Sequence, residues 1–412
     1  MERYLFGEEY REACERYRAH TIQKAAAVAR DIKSRGRRLR VGHYVTVTQQ
    51  YFPRLAEAFR EARELIDYQV FYSSSDEDGI ATIRETGVEV FDAKESERAS
   101  FRNFDVLFIQ HPYYSIGEVS IDFYGIMRRL AEFILPADAS LHPLICLIPY
   151  AYTVIDESVH HPVDGFHDLP VHNVGWRVYC ETDWHLERGR AKSTLGGWNW
   201  RVTGYPKLDE IRDACSTAGR VGASGKTIIW APHHNRWFQR IPILQMHDYF
   251  ARLVDENHDI HLVVRPHPNL TQSANFDFST LGMTKTGFEA IMSFWSSHPR
   301  AEVDLGADLP GLFARSDMMV TDCGGFQAEY FVSGRPLISC ISQRMLSPFM
   351  KELLAEGNYF AGSVEEVDTT IRQLLAGEND PRRANRAKAI EIIQPIRNAS
   401  RAIVEDLLSS FS

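Results

Sequence analysis

Five short runs in this chain, Asp105–Ile109, Leu144–Ile148, Ile260–Val264, Met318–Val320 and Leu337–Ile341, are largely apolar at consecutive rather than alternate positions. A strand with one wet face alternates. A strand apolar along its length is covered on both faces, the condition of a parallel sheet layered with helices. Segments of helical character separate these runs, among them Ile121–Ile134, Ile241–Glu256, Glu289–Trp295 and Leu309–Arg315, as strand–helix–strand crossovers require. The beat runs twice, before and after the Gly-, Ser- and Ala-rich stretch Ser216–Lys226. At 412 residues the chain exceeds what one hydrophobic core ordinarily organises. The expected architecture is α/β: two Rossmann-type, doubly wound parallel-sheet domains facing a central cleft. Residues 1–215 form the first and residues 226–380 the second; residues 381–412 are helices packing back on the first, with Pro395 kinking or restarting the last of them.

Bulk properties narrow the function classes. With 46 basic and 55 acidic residues the net charge is −9, which argues against a nucleic-acid binder, since that needs a basic face. One basic cluster stands out near the N-terminus: Arg30, Lys33, Arg35, Arg37, Arg38 and Arg40. It reads either as a solvated helix end or as peripheral contact with an anionic membrane or polyanionic acceptor. The six cysteines form no CxxC pair and several lie in apolar runs, so no disulfide framework or structural zinc is expected. Met1-Glu2-Arg3-Tyr4 has no apolar core and no run of about 18 apolar residues follows, which predicts a cytoplasmic protein without a membrane span.

Polar and proline-rich clusters stand where strands end, and in open parallel sheets ligands gather at the carboxyl ends of strands. Met318–Val320 runs into Thr321-Asp322-Cys323-Gly324-Gly325 and restarts as a helix from Phe326. A glycine turn between strand and helix presents backbone N–H groups that suit a diphosphate, although such a turn is also an ordinary connection. Glu329 lies one helical turn further on, placed for ribose hydroxyls, and Asp322 joins the same set. In Arg265-Pro266-His267-Pro268 two prolines aim the imidazole and the arginine offers a fork-shaped cation for phosphate. His233-His234 repeats that pattern one strand earlier and reads as donor contacts or loop structure. Adjacent side chains diverge and no carboxylate pair is near, so no metal is expected. His111 follows a buried strand and is the acceptor-side candidate, with Tyr150 at the neighbouring strand end.

Four elements in order then resemble the CDP-glycerol glycerophosphotransferase family, the teichoic-acid polymerase type. They are Gly204-Tyr205-Pro206 with Asp209, Trp230-Ala231-Pro232, Arg265-Pro266-His267-Pro268, and Ser316-Asp317 through Thr321-Asp322 and Glu329 to Gly334-Arg335-Pro336. The resemblance implies a GT-B-like fold and transfer of a polyol phosphate from a CDP-linked donor to a hydroxyl of a polymer or lipid-linked acceptor in capsule or teichoic-acid synthesis. It implies no separate cofactor. His267 matches the family's catalytic histidine in the second domain, and Glu329 its acid. The family's two serines after Thr-Asp are Gly324 and Gly325 here, and its first-domain His-Gly-Thr is replaced by Tyr150-Ala151-Tyr152. Rival readings are a nucleotide-sugar glycosyltransferase, a nucleotide-sugar 2-epimerase and a non-catalytic binding subunit.

Overall fold

The computed structural model describes residues 8–45, 51–72, 77–93, 104–110, 143–156, 167–217, 225–234, 238–271, 273, 276–306, 308–376 and 380–411. His111 and the Ile121–Ile134 segment lie outside them. The chain divides into two compact units. The first comprises Met1–Ala151, Val163–Asp209 and Pro395–Ser412, and the second Tyr152–Pro162 and Glu210–Gln394.

The first unit holds β1 (Leu39–Val45), β2 (Ile66–Tyr72), β3 (Glu89–Asp92), β4 (Val106–Ile109), β5 (Leu144–Leu147), β6 (Arg177–Cys180) and β7 (Trp200–Val202). They form one sheet in the order β3-β2-β1-β4-β5-β6-β7, with parallel pairing throughout. The second unit holds β8 (Lys226–Ala231), β9 (Ile260–Val264), β10 (Ala301–Val303), β11 (Met318–Thr321), β12 (Leu337–Ser339) and β13 (Tyr359–Phe360), ordered β10-β9-β8-β11-β12-β13 and again parallel. Every residue of β4, β5 and β11 is buried, as double-sided cover requires. Each sheet reverses its strand order beside its first strand, the switch point at which open α/β sheets bind ligands. In the second unit that point lies between β8 and β11.

Amphipathic helices supply the cover. Helix Phe52–Glu61, with proline in its first turn, buries Phe52, Leu55, Ala56 and Phe59 along one stripe. Helix Ile243–Glu256 buries Ile243, Met246, Tyr249, Phe250, Leu253 and Val254 against the β8 and β9 side of the second core.

Several residues picked out by the glycerophosphotransferase resemblance serve this architecture. Gly204 has φ +81, and a Cβ there would stand 3.1 Å from the Ile396 carbonyl oxygen. Asp209 accepts a hydrogen bond from the Ala399 backbone at 2.7 Å and so caps helix Ala399–Ser409, whose N-cap residue Asn398 is left-handed and offers no side-chain cap. Asp317 ties the start of β8 through the Thr227 amide at 2.9 Å and Lys226 at 3.1 Å. Arg335 donates to the Ala314 and Ser316 carbonyls and closes the end of helix Leu309–Arg315. Around Pro395 the terminal helical region is two helices, Arg383–Ile393 in the second unit and Ala399–Ser409 in the first.

The basic cluster is partly neutralised within the first unit. Asp31 takes Arg35 and Arg37 at 2.8 and 2.6 Å; buried Asp105 takes Arg37 and Arg40 at 2.7 and 3.0 Å. Arg38 lies 3.8 Å from Asp67. Bracing the start of the sheet is the role these pairs support. Among the described residues no helix is long and apolar enough to cross a membrane.

Candidate functional site

The parallel register Val264↔Trp230, Ala231↔Thr321 and Thr321↔Ser339 brings four strand ends to one edge of the second sheet. The loops leaving β8 and β11 flank the switch point, and the loop leaving β9 lies beside them. The Thr321 hydroxyl donates to the Ala231 carbonyl at 2.6 Å and accepts the Cys323 N–H at 2.9 Å, pinning the first residue of the turn. Asp322 accepts the His233 N–H at 2.7 Å, and the His267 N–H donates to the Pro232 carbonyl at 3.0 Å, so all three loops are laced together. Burial raises the Asp322 carboxyl to about 7 against the pull of the His233 N–H. Beneath it is a small cavity of about 20 Å³ with mostly apolar walls that include Trp230, Ile243, Met246 and Val320.

The imidazoles of His233, His234 and His267 converge, with ring centroids 4.2 to 4.7 Å apart. Burial, with His234 second, depresses His267 to about 3, so it is neutral at pH 7. Its Nδ1 accepts the Asn269 N–H at 3.1 Å. That nitrogen is therefore unprotonated and the ring proton resides on Nε2, making neutral His267 a hydrogen-bond donor. One nitrogen from each of the three rings lies within 4.8 Å of the others, close enough to consider a shared cation. The tautomer disfavours it: a cation on Nε2 would need the proton moved to Nδ1, directly against the Asn269 N–H. The arrangement suits an anion better.

Arg265 is committed elsewhere. Its guanidinium donates to Asp304 at 2.7 Å and to the Gly306 carbonyl at 2.9 Å, with both charged side chains about 15% exposed. It braces the loop after β10 from beneath the His267 segment.

The two glycines of the turn stand in different surroundings. Neither has a positive φ. A Cβ on Gly324 would stand 3.1 Å from the Ile155 side chain, tighter than normal packing. Gly325 is helical, at φ −58 and ψ −39, and a Cβ there would meet only the Glu329 carboxylate at 3.8 Å, an ordinary contact. Among the described residues no steric contact demands glycine at 325. The Gly325 and Phe326 amides turn in part toward the Cys323 sulfur, a weak acceptor, while burial raises that thiol to about 12 and leaves it a poor nucleophile. Glu329 is 2% exposed, and Gln327 braces the turn by donating to the Cys323 carbonyl at 3.1 Å and accepting from Ser339 at 2.7 Å.

The second unit thus brings His267, His233, Asp322, Gly324, Gly325 and Glu329 to one sheet edge and its adjoining turn, while Arg265, at the same edge, is held in an ion pair with Asp304. His111 lies outside the described residues. Tyr150, 36% exposed, belongs to the first unit, where its carbonyl accepts the Tyr205 hydroxyl at 2.8 Å. Sequence reasoning missed that the backbone N–H two residues after His267, at Asn269, sets the His267 tautomer, with the histidine side chain capping the short helix that follows. It also missed Val154 and Ile155, which follow a first-unit strand yet pack on the second unit.

No family model matches the sequence, and no curated protein matches it. Solved structures do. A UDP-N-acetylglucosamine 2-epimerase from Neisseria meningitidis, bound to UDP-N-acetylglucosamine, aligns at TM-score 0.60 and 14% identity over 90% of this chain and 100% of its own. The 2-epimerase from Methanocaldococcus jannaschii aligns at TM-score 0.54 and 11% identity over 90% and 100%. HepE from Anabaena, in complex with UDP-glucose, aligns at 0.52 and 10% over the same shares. The fold is GT-B-like. These neighbours overturn the resemblance to CDP-glycerol glycerophosphotransferases and the CDP-polyol, teichoic-acid reading built on it. The short elements that carried it include Gly204, Asp209, Asp317 and Arg335, which make turns and caps of this fold and do not specify a donor.

Proposed function

We propose that the protein is an enzyme acting on a UDP-sugar, a nucleotide-sugar 2-epimerase in type, with the nucleoside diphosphate seated on the second unit between the His267 loop and the Gly324-Gly325 turn. The observation that carries this reading is Gly325. It stands at the N-cap of helix Phe326–Glu329 with helical backbone angles and room for a Cβ, so among the described residues no steric contact requires glycine there. Close approach of a ligand to that backbone accounts for it. Glu329 beside it supplies a carboxylate for ribose hydroxyls. The Nε2–H of neutral His267 supplies a donor to a phosphate oxygen as the diphosphate gains charge on leaving the sugar. Structural neighbours that bind UDP, UDP-glucose or UDP-N-acetylglucosamine support the class of ligand.

Epimerisation needs no acceptor, whereas glycosyl transfer does. Incubating the protein with UDP-N-acetylglucosamine alone and following the anomeric proton signals by NMR separates them. The 2-epimer should appear with no added acceptor. An unchanged spectrum, with turnover only when a hydroxyl acceptor is supplied, would overturn the epimerase assignment in favour of a glycosyltransferase.

A further inference from the structure

After β5 the chain leaves the first unit, and Tyr152–Asp156 docks on the second as a strap. Three hydrogen bonds hold it. Ile155 bridges Leu346 in antiparallel fashion, and the Asp156 amide donates to the Met345 carbonyl at 2.7 Å. The Ser347 amide donates to the Val154 carbonyl at 3.0 Å, and the Tyr152 hydroxyl to the Ile393 carbonyl at 3.1 Å. Tyr152 and Val154 are each 2% exposed, so this is a built interface. Its one partly exposed apolar side chain, Ile155, rests against Gly324. A Cβ there would stand 3.1 Å and 3.7 Å from two Ile155 carbons and 3.6 Å from Val154.

We infer that Ile155 is a positioning residue for the ligand turn: its side chain fixes where the Gly324 backbone lies, and the glycine at 324 exists to admit it. The inference rests on the nucleotide reading of that turn, but its physical core is a contact measurable without ligand. It explains the two glycines separately, Gly324 by the strap and Gly325 by the ligand. The strap also makes polypeptide from the first half of the sequence a wall of the second unit's site.

The test is a double-mutant cycle on the full chain, read by thermal melting and by isothermal titration with UDP. Gly324→Ala should lower the melting temperature and weaken UDP about tenfold or more, because the new methyl would press on the Ile155 side chain and push the turn out of place. Adding Ile155→Ala should recover most of both losses. Ile155→Ala alone should weaken UDP about fivefold through a loosened turn, and Ile155→Val should bind within about twofold of the parent. Strictly additive effects on melting would overturn the strap–turn contact. Unchanged UDP affinity in Ile155→Ala would overturn the positioning role. A parent protein that binds no UDP would instead refute the nucleotide reading, while the melting cycle would still decide the contact.

Discussion

Each unit gathers three buried or half-buried histidines, and they are used in opposite ways. In the first unit His167 and His172 pack on Trp200, at 5.5 and 5.4 Å between ring centres, while His185 bonds the Thr182 hydroxyl at 2.8 Å and faces Glu181 at 3.7 Å. None is more than 4% exposed. His172 accepts the Leu169 N–H, and Trp200 opens β7, so this cluster fastens helix Pro170–Val174 and helix Asp183–Lys192 to the sheet. In the second unit His234 and His267 are only partly buried, stand at carboxyl strand ends beside the switch point, and His267 keeps a ring proton available. Histidine count and lowered pKa do not separate the two clusters; position on the sheet and the tautomer do.

Replacing the centre of the first cluster breaks the comparison hardest. Trp200→Ala should cost about 3–5 kcal/mol in a denaturant melt, because Trp200 is 5% exposed and its ring packs directly against Gly189 and two imidazoles. A loss under about 1 kcal/mol would mean the cluster is not structural.

Acid should act next, and on both units. Burial holds His43 and His172 in the first unit and His267 in the second near 3. The folded state keeps them neutral while the unfolded chain takes protons below about 6.5, so their stability is intact above that pH and lost as pH falls toward about 3. Each should forfeit about 2 kcal/mol by pH 5. Hydrogen exchange at pH 7 and pH 5 should show the loss in both units, around His43 and His172 in the first and His267 in the second; equal protection at both values would contradict the assignment.

His267→Asn sharpens the contrast at smaller cost. Asparagine can still cap the Asn269 amide but lacks the Nε2–H donor. UDP binding should weaken by about 1–3 kcal/mol while the melting temperature barely moves. The reverse pattern, with stability lost and affinity kept, would make this histidine structural like those of the first unit.

Much of this was legible in the residues. Consecutive apolar positions identify the parallel strands because both faces of each are covered, and the bounds of β9 follow from Ile260–Val264 directly. The switch-point loops are legible too, since His233, His267 and Gly324-Gly325 each follow a buried strand. What local sequence cannot supply is long-range partnership. Arg265 looks like a phosphate fork until Asp304, 39 positions away, is seen to hold it. The basic cluster looks exposed until Asp31 and Asp105 neutralise part of it. Ile155 looks like first-half loop until it bridges Leu346. The motif elements that suggested a glycerophosphotransferase include residues that form the turns and caps of the fold, which is why they report architecture and not donor.

Isothermal titration of UDP into the parent protein and Gly325→Ala, with melts of both, tests the central claim. Alanine at 325 should leave the melting temperature unchanged or slightly raised, because the backbone is already helical and the space is open, yet should abolish measurable UDP binding that the parent shows. Equal UDP affinity in the two proteins would contradict it: no ligand would then approach that backbone, and the nucleotide site would have to lie elsewhere.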